Sequence, residues 1–111
     1  MSKDKSFKYE GESTDVWGIP SYVYIGEKWS IFVWFDSTGK SSNYTLQGTV
    51  ENMNGKAFEF ILYLSGRLTY RRILESNYNG LGIQYDENDK IVPKYVVSAI
   101  RKIEGSYNKM K

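Results

Sequence analysis

Trp29-Ser30-Ile31-Phe32-Val33-Trp34-Phe35 decides the fold. Apart from Ser30 the stretch is apolar or aromatic throughout, and such a short run of β-favouring side chains reads as a central strand buried on both faces. Upstream, Asp15 to Gly26 carries Val16, Trp17, Ile19, Tyr22, Val23, Tyr24 and Ile25, with Pro20 as a sign of an edge position or a bulge. Before it, Phe7, Tyr9 and Gly11 alternate with Lys8, Glu10 and Glu12, the period of a half-buried strand.

Downstream, Asp36-Ser37-Thr38-Gly39 supplies turn chemistry. Tyr44, Leu46, Gly48 and Val50 then alternate with Thr45, Gln47 and Thr49, and Asn54-Gly55 signals a hairpin. Lys56 to Leu64 sets Phe58, Phe60, Leu62 and Leu64 on one face and Glu59, Ile61 and Tyr63 on the other. Ser65-Gly66 turns the chain into Arg67–Glu75, where Leu68, Tyr70 and Leu74 face one way. A loop over Ser76–Gly82 leads to a short strand at Ile83–Tyr85. Strands and turns recurring at about ten-residue spacing predict an all-β domain, an antiparallel β-sandwich or a small closed barrel of about eight strands. The domain covers residues 7–111 and follows a flexible polar lead at 1–6.

The C-terminal segment admits two readings. Tyr95 to Ile103 reads as a strand because of the paired Val96 and Val97, with a Glu104-Gly105 turn and a terminal strand after it. A C-terminal helix is the alternative: Val96, Ala99, Ile100, Ile103 and Tyr107 share one helical face, with Pro93 before it and Gly105 as a stop. The strand is the preferred reading.

Composition excludes more than it names. The 111 residues contain no cysteine and no histidine. Disulfides, thiolate metal sites, Cys or His nucleophile–base pairs and histidine switching are therefore absent. A net charge of +2, from 15 basic and 13 acidic residues, gives no electrostatic footprint for nucleic acid. No run is long and apolar enough to span a bilayer as a helix, and no signal-peptide core is present.

The motifs that could carry chemistry are cheap ones. Ser-x-x-Lys occurs at Ser2–Lys5, Ser37–Lys40 and Ser106–Lys109 without its companion motifs, so no catalytic serine is assigned. Glu10 and Glu12 would share a strand face as a carboxylate pair, although a solvated face explains them equally simply. Asp86-Glu87-Asn88-Asp89 has the oxygen density of a calcium loop, but Ile91 and Val97 stand where an EF-hand needs Gly and Glu, so a solvated turn is preferred. Gly80-Leu81-Gly82 and Gly55-Lys56 fit no nucleotide cradle, and no cofactor is implied. Tyr70-Arg71-Arg72, with Arg67, is the main basic–aromatic cluster, but Arg71 and Arg72 would point to opposite faces of a strand. No catalytic constellation and no metal set emerges.

Aromatics make up 16% of the chain, and they are the remaining candidates for function. Trp17, Tyr22, Tyr24, Trp29, Trp34 and Tyr44 suit a carbohydrate platform or a barrel mouth, with core packing as the plainer explanation. Tyr22, Tyr24 and Trp34 are the candidate ligand contacts.

Phe7-Lys8-Tyr9-Glu10-Gly11-Glu12-Ser13, with Trp17 and Tyr22–Ile25 after it, resembles the opening of small Bacillus-type lipoprotein domains. Val96 to Ile100 through Gly105 is similar to their closing strand and hairpin, although Lys102-Ile103-Glu104-Gly105 departs from the usual Trp-Asn-Gly ending. The likeness covers about a third of the chain and carries over no catalytic residue. It implies a non-enzymatic, extracytoplasmic binding or structural domain, anchored through a lipidated cysteine where Met1 stands. The partner expected is a protein, an envelope component or a small apolar ligand. Two alternatives stand beside it. One is an intracellular inhibitor of phage or mobile-element origin, and the other is a lipocalin-like small-ligand binder.

Overall fold

The structure is a computed structural model that describes residues 7–14, 18–34, 44–73 and 84–109, the last four as backbone only. Among the described residues seven strands form one antiparallel sheet in chain order. They are β1 (Lys8–Thr14), β2 (Pro20–Ile25), β3 (Trp29–Trp34), β4 (Tyr44–Asn52), β5 (Ala57–Tyr63), β6 (Leu68–Ile73) and β7 (Gln84–Asp86). A helix, α1 (Lys94–Lys109), follows. The sheet is open: β1 and β7 end the strand order and do not pair with one another, so the expected closed barrel is not formed.

Short turns fix this meander. Gly55, at φ 87°, ends the β4–β5 turn, and the Asn52 carboxamide oxygen accepts hydrogen bonds from the Asn54 and Lys56 amides at 2.9 and 3.0 Å. Gly66, at φ 95°, does the same work between β5 and β6. Both conformations are ones that a side chain would strain. The hairpins expected at Asn54-Gly55 and Ser65-Gly66 are thus present. Leu64, expected on the core face, is 61% exposed because it belongs to the second of these turns.

Register assigns the faces, since directly opposite residues project to the same side. Ile31 pairs with Val50 and Val50 with Phe58; Gly48 pairs with both Val33 and Phe60, and Phe60 with Tyr70. These side chains form the core face with Trp29, Leu46, Leu62 and Leu68. On the opposite face Ser21, Val23, Thr49, Ala57, Thr69 and Ile73 are buried, whereas Phe32, Trp34 and Ile61 are half-buried. β3 is therefore buried fully on one face and partly on the other.

Gly48 makes the strand approach possible. A Cβ there would lie 2.0 Å from the Phe32 carbonyl oxygen, inside any permitted contact. Glycine within a strand marks such close backbone approaches and bends.

The C-terminal segment is a helix, which corrects the strand preferred for Tyr95–Ile103. Val96, Ile100 and Ile103 point into the core cluster, joined by Val92. Burying each such side chain contributes roughly 2 kcal/mol. That outweighs the few tenths of a kcal/mol by which valine disfavours a helix. The Pro93 carbonyl accepts from the Val96 and Val97 amides and so opens the first turn. Gly105, expected as a stop, lies within the helix.

Pro20 is corrected too. It is the first residue of β2, an interior strand, a position that needs no amide hydrogen inside the ladder. Trp17, the Asp36–Gly39 turn, Leu74, the Ser76–Gly82 loop and Ile83 lie outside the described residues.

Candidate aromatic site

Tyr22 and Tyr24 stand two residues apart on β2 and both project from the core face. Tyr24 is opposite Ile31, and Tyr22 opposite Val33, yet both tyrosines are half-buried where their partners are fully buried. A third ring joins them. Tyr9 on β1 is opposite Tyr24, with ring centroids 5.1 Å apart and planes at 51°. Tyr9 is 50% exposed.

The local fold that brings them together includes a β-bulge. Register shifts between Tyr9, which pairs with Tyr24, and Gly11, which pairs with Val23. Gly11 has φ 103°, the conformation of a bulge glycine. Glu10 is the extra residue, and the strand resumes with Glu12 opposite Tyr22 on the core-face side. The regular alternation expected from Phe7 to Glu12 is thus interrupted. Glu12 follows Tyr9 onto the tyrosine face, and Glu10 is not its paired neighbour. The regular alternation that would set Glu10 and Glu12 on one face is broken by this bulge.

The row of rings continues toward the helix. Phe7 and Tyr95 lie with centroids 6.0 Å apart and planes at 26°. Gly26 leaves room for Phe7, because a Cβ on Gly26 would come within 2.6 Å of that ring. Burial, then the nearby Tyr9 and Tyr22 phenols, pushes the Tyr24 pKa up. Burial, with Glu27 beside it, raises that of Tyr95. These phenols hold their protons at neutral pH and act as neutral hydrogen-bonding groups.

Trp34 is placed elsewhere. It pairs with Ser21, so it faces away from Tyr22 and Tyr24. The three expected ligand contacts therefore divide between the two faces. Trp29 is in the core, 6.4 Å from Phe58 between ring centroids, as the packing explanation requires. Tyr44 is half-buried opposite Tyr63 at the far end of the sheet. Sequence reasoning read Tyr9 only as part of an alternating strand and Glu12 only as one of a carboxylate pair, and missed that both join the face of Tyr22 and Tyr24. Their signal was Gly11, a bulge-forming glycine within an otherwise regular alternation.

The other motifs find structural uses. Asp86 and Asp89 form a capping box around the short 3-10 turn Glu87–Asp89, with bonds of 2.8 Å to the Asn88 amide and 2.7 Å from the Asp86 amide. Among the described residues no group of three acidic side chains is placed to hold a metal ion. Arg71 pairs across the sheet with Glu59 and Arg72 with Phe58, on opposite faces as expected. The Arg72 guanidinium carbon lies 6.0 Å from the Phe58 ring centroid, a cation–π contact. The Arg101 guanidinium and the Glu87 carboxylate pair, tying α1 to the 3-10 turn after β7. Gly55-Lys56 belongs to a hairpin, whereas Gly80-Leu81-Gly82, Ser2–Lys5 and Ser37–Lys40 lie outside the described residues. No helix among the described residues is long and apolar enough to cross a membrane. Comparison with protein-family models, curated proteins and solved structures finds no match.

Proposed function

We propose that this domain is a non-enzymatic binding module of the cell envelope that takes its ligand at the β1–β2 edge. The observation that carries this reading is the convergence of Tyr9, Tyr22 and Tyr24 where the core face is incompletely covered. Tyrosine joins a large apolar surface to a polar tip and loses little side-chain freedom on contact, which suits a recognition surface. The envelope assignment draws on the sequence resemblance, whose opening segment and Tyr22–Ile25 form this same pair of strands. We read the sheet as an open barrel with α1 across its mouth. Helix side chains fill the core face of the sheet, where a lipocalin-like ligand would have to lie, so an edge site fits the fold better than an interior one.

Ring-resolved NMR of the tyrosines tests the proposal, with a panel of sugars, apolar alcohols and organic cations. Shifts concentrated at Tyr9, Tyr22 and Tyr24, and weakened by Tyr22→Ala or Tyr24→Ala in a chain that still folds, are expected. Variants that only unfold, with no probe moving these rings in the parent chain, would overturn it. Envelope placement is tested separately on the gene: a hydrophobic leader ending in cysteine immediately upstream supports it, and a leaderless start sinks it.

A second reading follows from β1 itself. It ends the strand order and is exposed along its length except at Gly11. Such an edge can receive a partner's strand, as an intracellular inhibitor would use it. A stoichiometric partner that protects β1 amides from hydrogen exchange would favour that reading over the tyrosine site.

A further inference from the structure

We infer that the tyrosine corner receives a small alkylated ammonium ion, a ligand class that rests on the edge site proposed above. Tyr9 and Tyr24 meet at 51°, so their rings form a corner and not a flat shelf. A sugar stacks best on a shelf, whereas a compact spherical head can touch two π faces in a corner. Tyr22 extends the aromatic surface along β2 on the same side.

Charge around the corner selects for a cation. Glu12 stands directly opposite Tyr22, on the same face as the Tyr9 and Tyr24 rings. Lys8, the nearest strand lysine, pairs with Ile25 and therefore belongs to the other face. Glu12 supplies formal charge and the rings supply the negative π faces.

Hydration decides which cation. A metal ion or primary ammonium holds its water strongly, and half-exposed rings return too little to strip it. An alkylated ammonium is weakly hydrated and surrounds its charge with methyl groups, so it can touch the rings directly. Aromatic recognition of quaternary ammonium is a general outcome of this balance.

The test titrates choline and tetramethylammonium into the full chain, with tyrosine ring resonances as readout. The neutral isostere 3,3-dimethyl-1-butanol and methyl glucoside serve as controls. Saturable shifts at Tyr9, Tyr22 and Tyr24 are expected with both cations, at least about tenfold weaker with the neutral alcohol. Tyr9→Leu, at a half-exposed position outside the core cluster, should weaken choline binding about fivefold while Tyr9→Phe preserves it. Glu12→Gln should weaken it about threefold and flatten its salt dependence. Equal binding of the neutral alcohol, or shifts with the glucoside alone, would overturn the cation assignment and leave the edge site standing. Silence of these rings toward every probe would overturn both.

Discussion

The two halves of the sheet use the same strand pattern to opposite ends. Across β4, β5 and β6 the core-face side chains Leu46, Val50, Phe60, Leu62, Leu68 and Tyr70 are all buried, and α1 closes over them with Val96 and Ile100. Across β1 and β2 the corresponding positions are Tyr9, Glu12, Tyr22 and Tyr24, and every one is half-buried or exposed. Alternation alone does not distinguish the halves. What differs is the chemistry at the alternating positions: aliphatic and phenyl groups, with the single phenol of Tyr70, under the helix, and three phenols and a carboxylate beyond it. A tyrosine tolerates a half-wet position because its hydroxyl stays hydrated while its ring packs. One half is built to exclude water and the other to remain in contact with it.

The sharpest way to break the comparison is to damage the closed half. Ile100 is fully buried in the core cluster, and Ile100→Ala deletes that contact and opens a cavity. A loss of about 4 kcal/mol is expected, read by urea or thermal unfolding. A loss under about 1 kcal/mol would mean that α1 adds little to the fold. Gly48→Ala comes next, at about 3 kcal/mol, because the new methyl must displace the backbone at Phe32. Near-neutral behaviour there would show that β3 and β4 separate easily.

Much of the closed half was legible in the sequence. Phe58, Phe60, Leu62, Leu68 and Tyr70 alternate cleanly, and Gly55 and Gly66 mark the turns that hold their register. The helix was less legible, because Val96 and Val97 carry a strand propensity that the tertiary burial of Val96, Ile100 and Ile103 overrides. Pro93 and the spacing of the buried residues already contained the alternative. At the candidate site Tyr22 and Tyr24 were readable as partners by their two-residue spacing. Trp34 was not separable from them, since strand register decides its face and register is a property of two strands. Tyr9 and Glu12 were hidden by the bulge, which changes the phase of β1 without changing its composition.

Tyr70 offers a smaller and more particular test. Its hydroxyl is buried without a hydrogen-bond partner among the described residues, a costly state in a closed core. Tyr70→Phe is expected to stabilise the domain by about 1 kcal/mol. Burial first, and Glu87 second, raises the Tyr70 pKa well above its usual 10, with Arg101 opposing in part. The folded chain therefore holds this proton where the unfolded chain releases it. Its contribution to stability is fully present below about pH 10 and declines as pH rises beyond that toward the folded-state value. The slope of stability against pH above 10 should be steeper in the parent chain than in Tyr70→Phe. Identical slopes would show that this phenol is solvated in the folded protein.

The smallest expected effect is at the open half, and its smallness is the point. Tyr9 is half exposed and lies outside the core cluster, so Tyr9→Leu removes a ring contact with Tyr24 but buries no new polar group and opens no closed cavity. Stability should change by no more than about 0.5 kcal/mol. Tyr24→Leu should cost more, because Tyr24 also packs against the core. If Tyr9→Leu destabilised the chain as much as Ile100→Ala, the tyrosine edge would be part of the fold's support and its exposure incidental. A fold that is indifferent to Tyr9 leaves the exposed ring free to serve the recognition proposed at the β1–β2 edge, and the ligand titrations then decide whether it does.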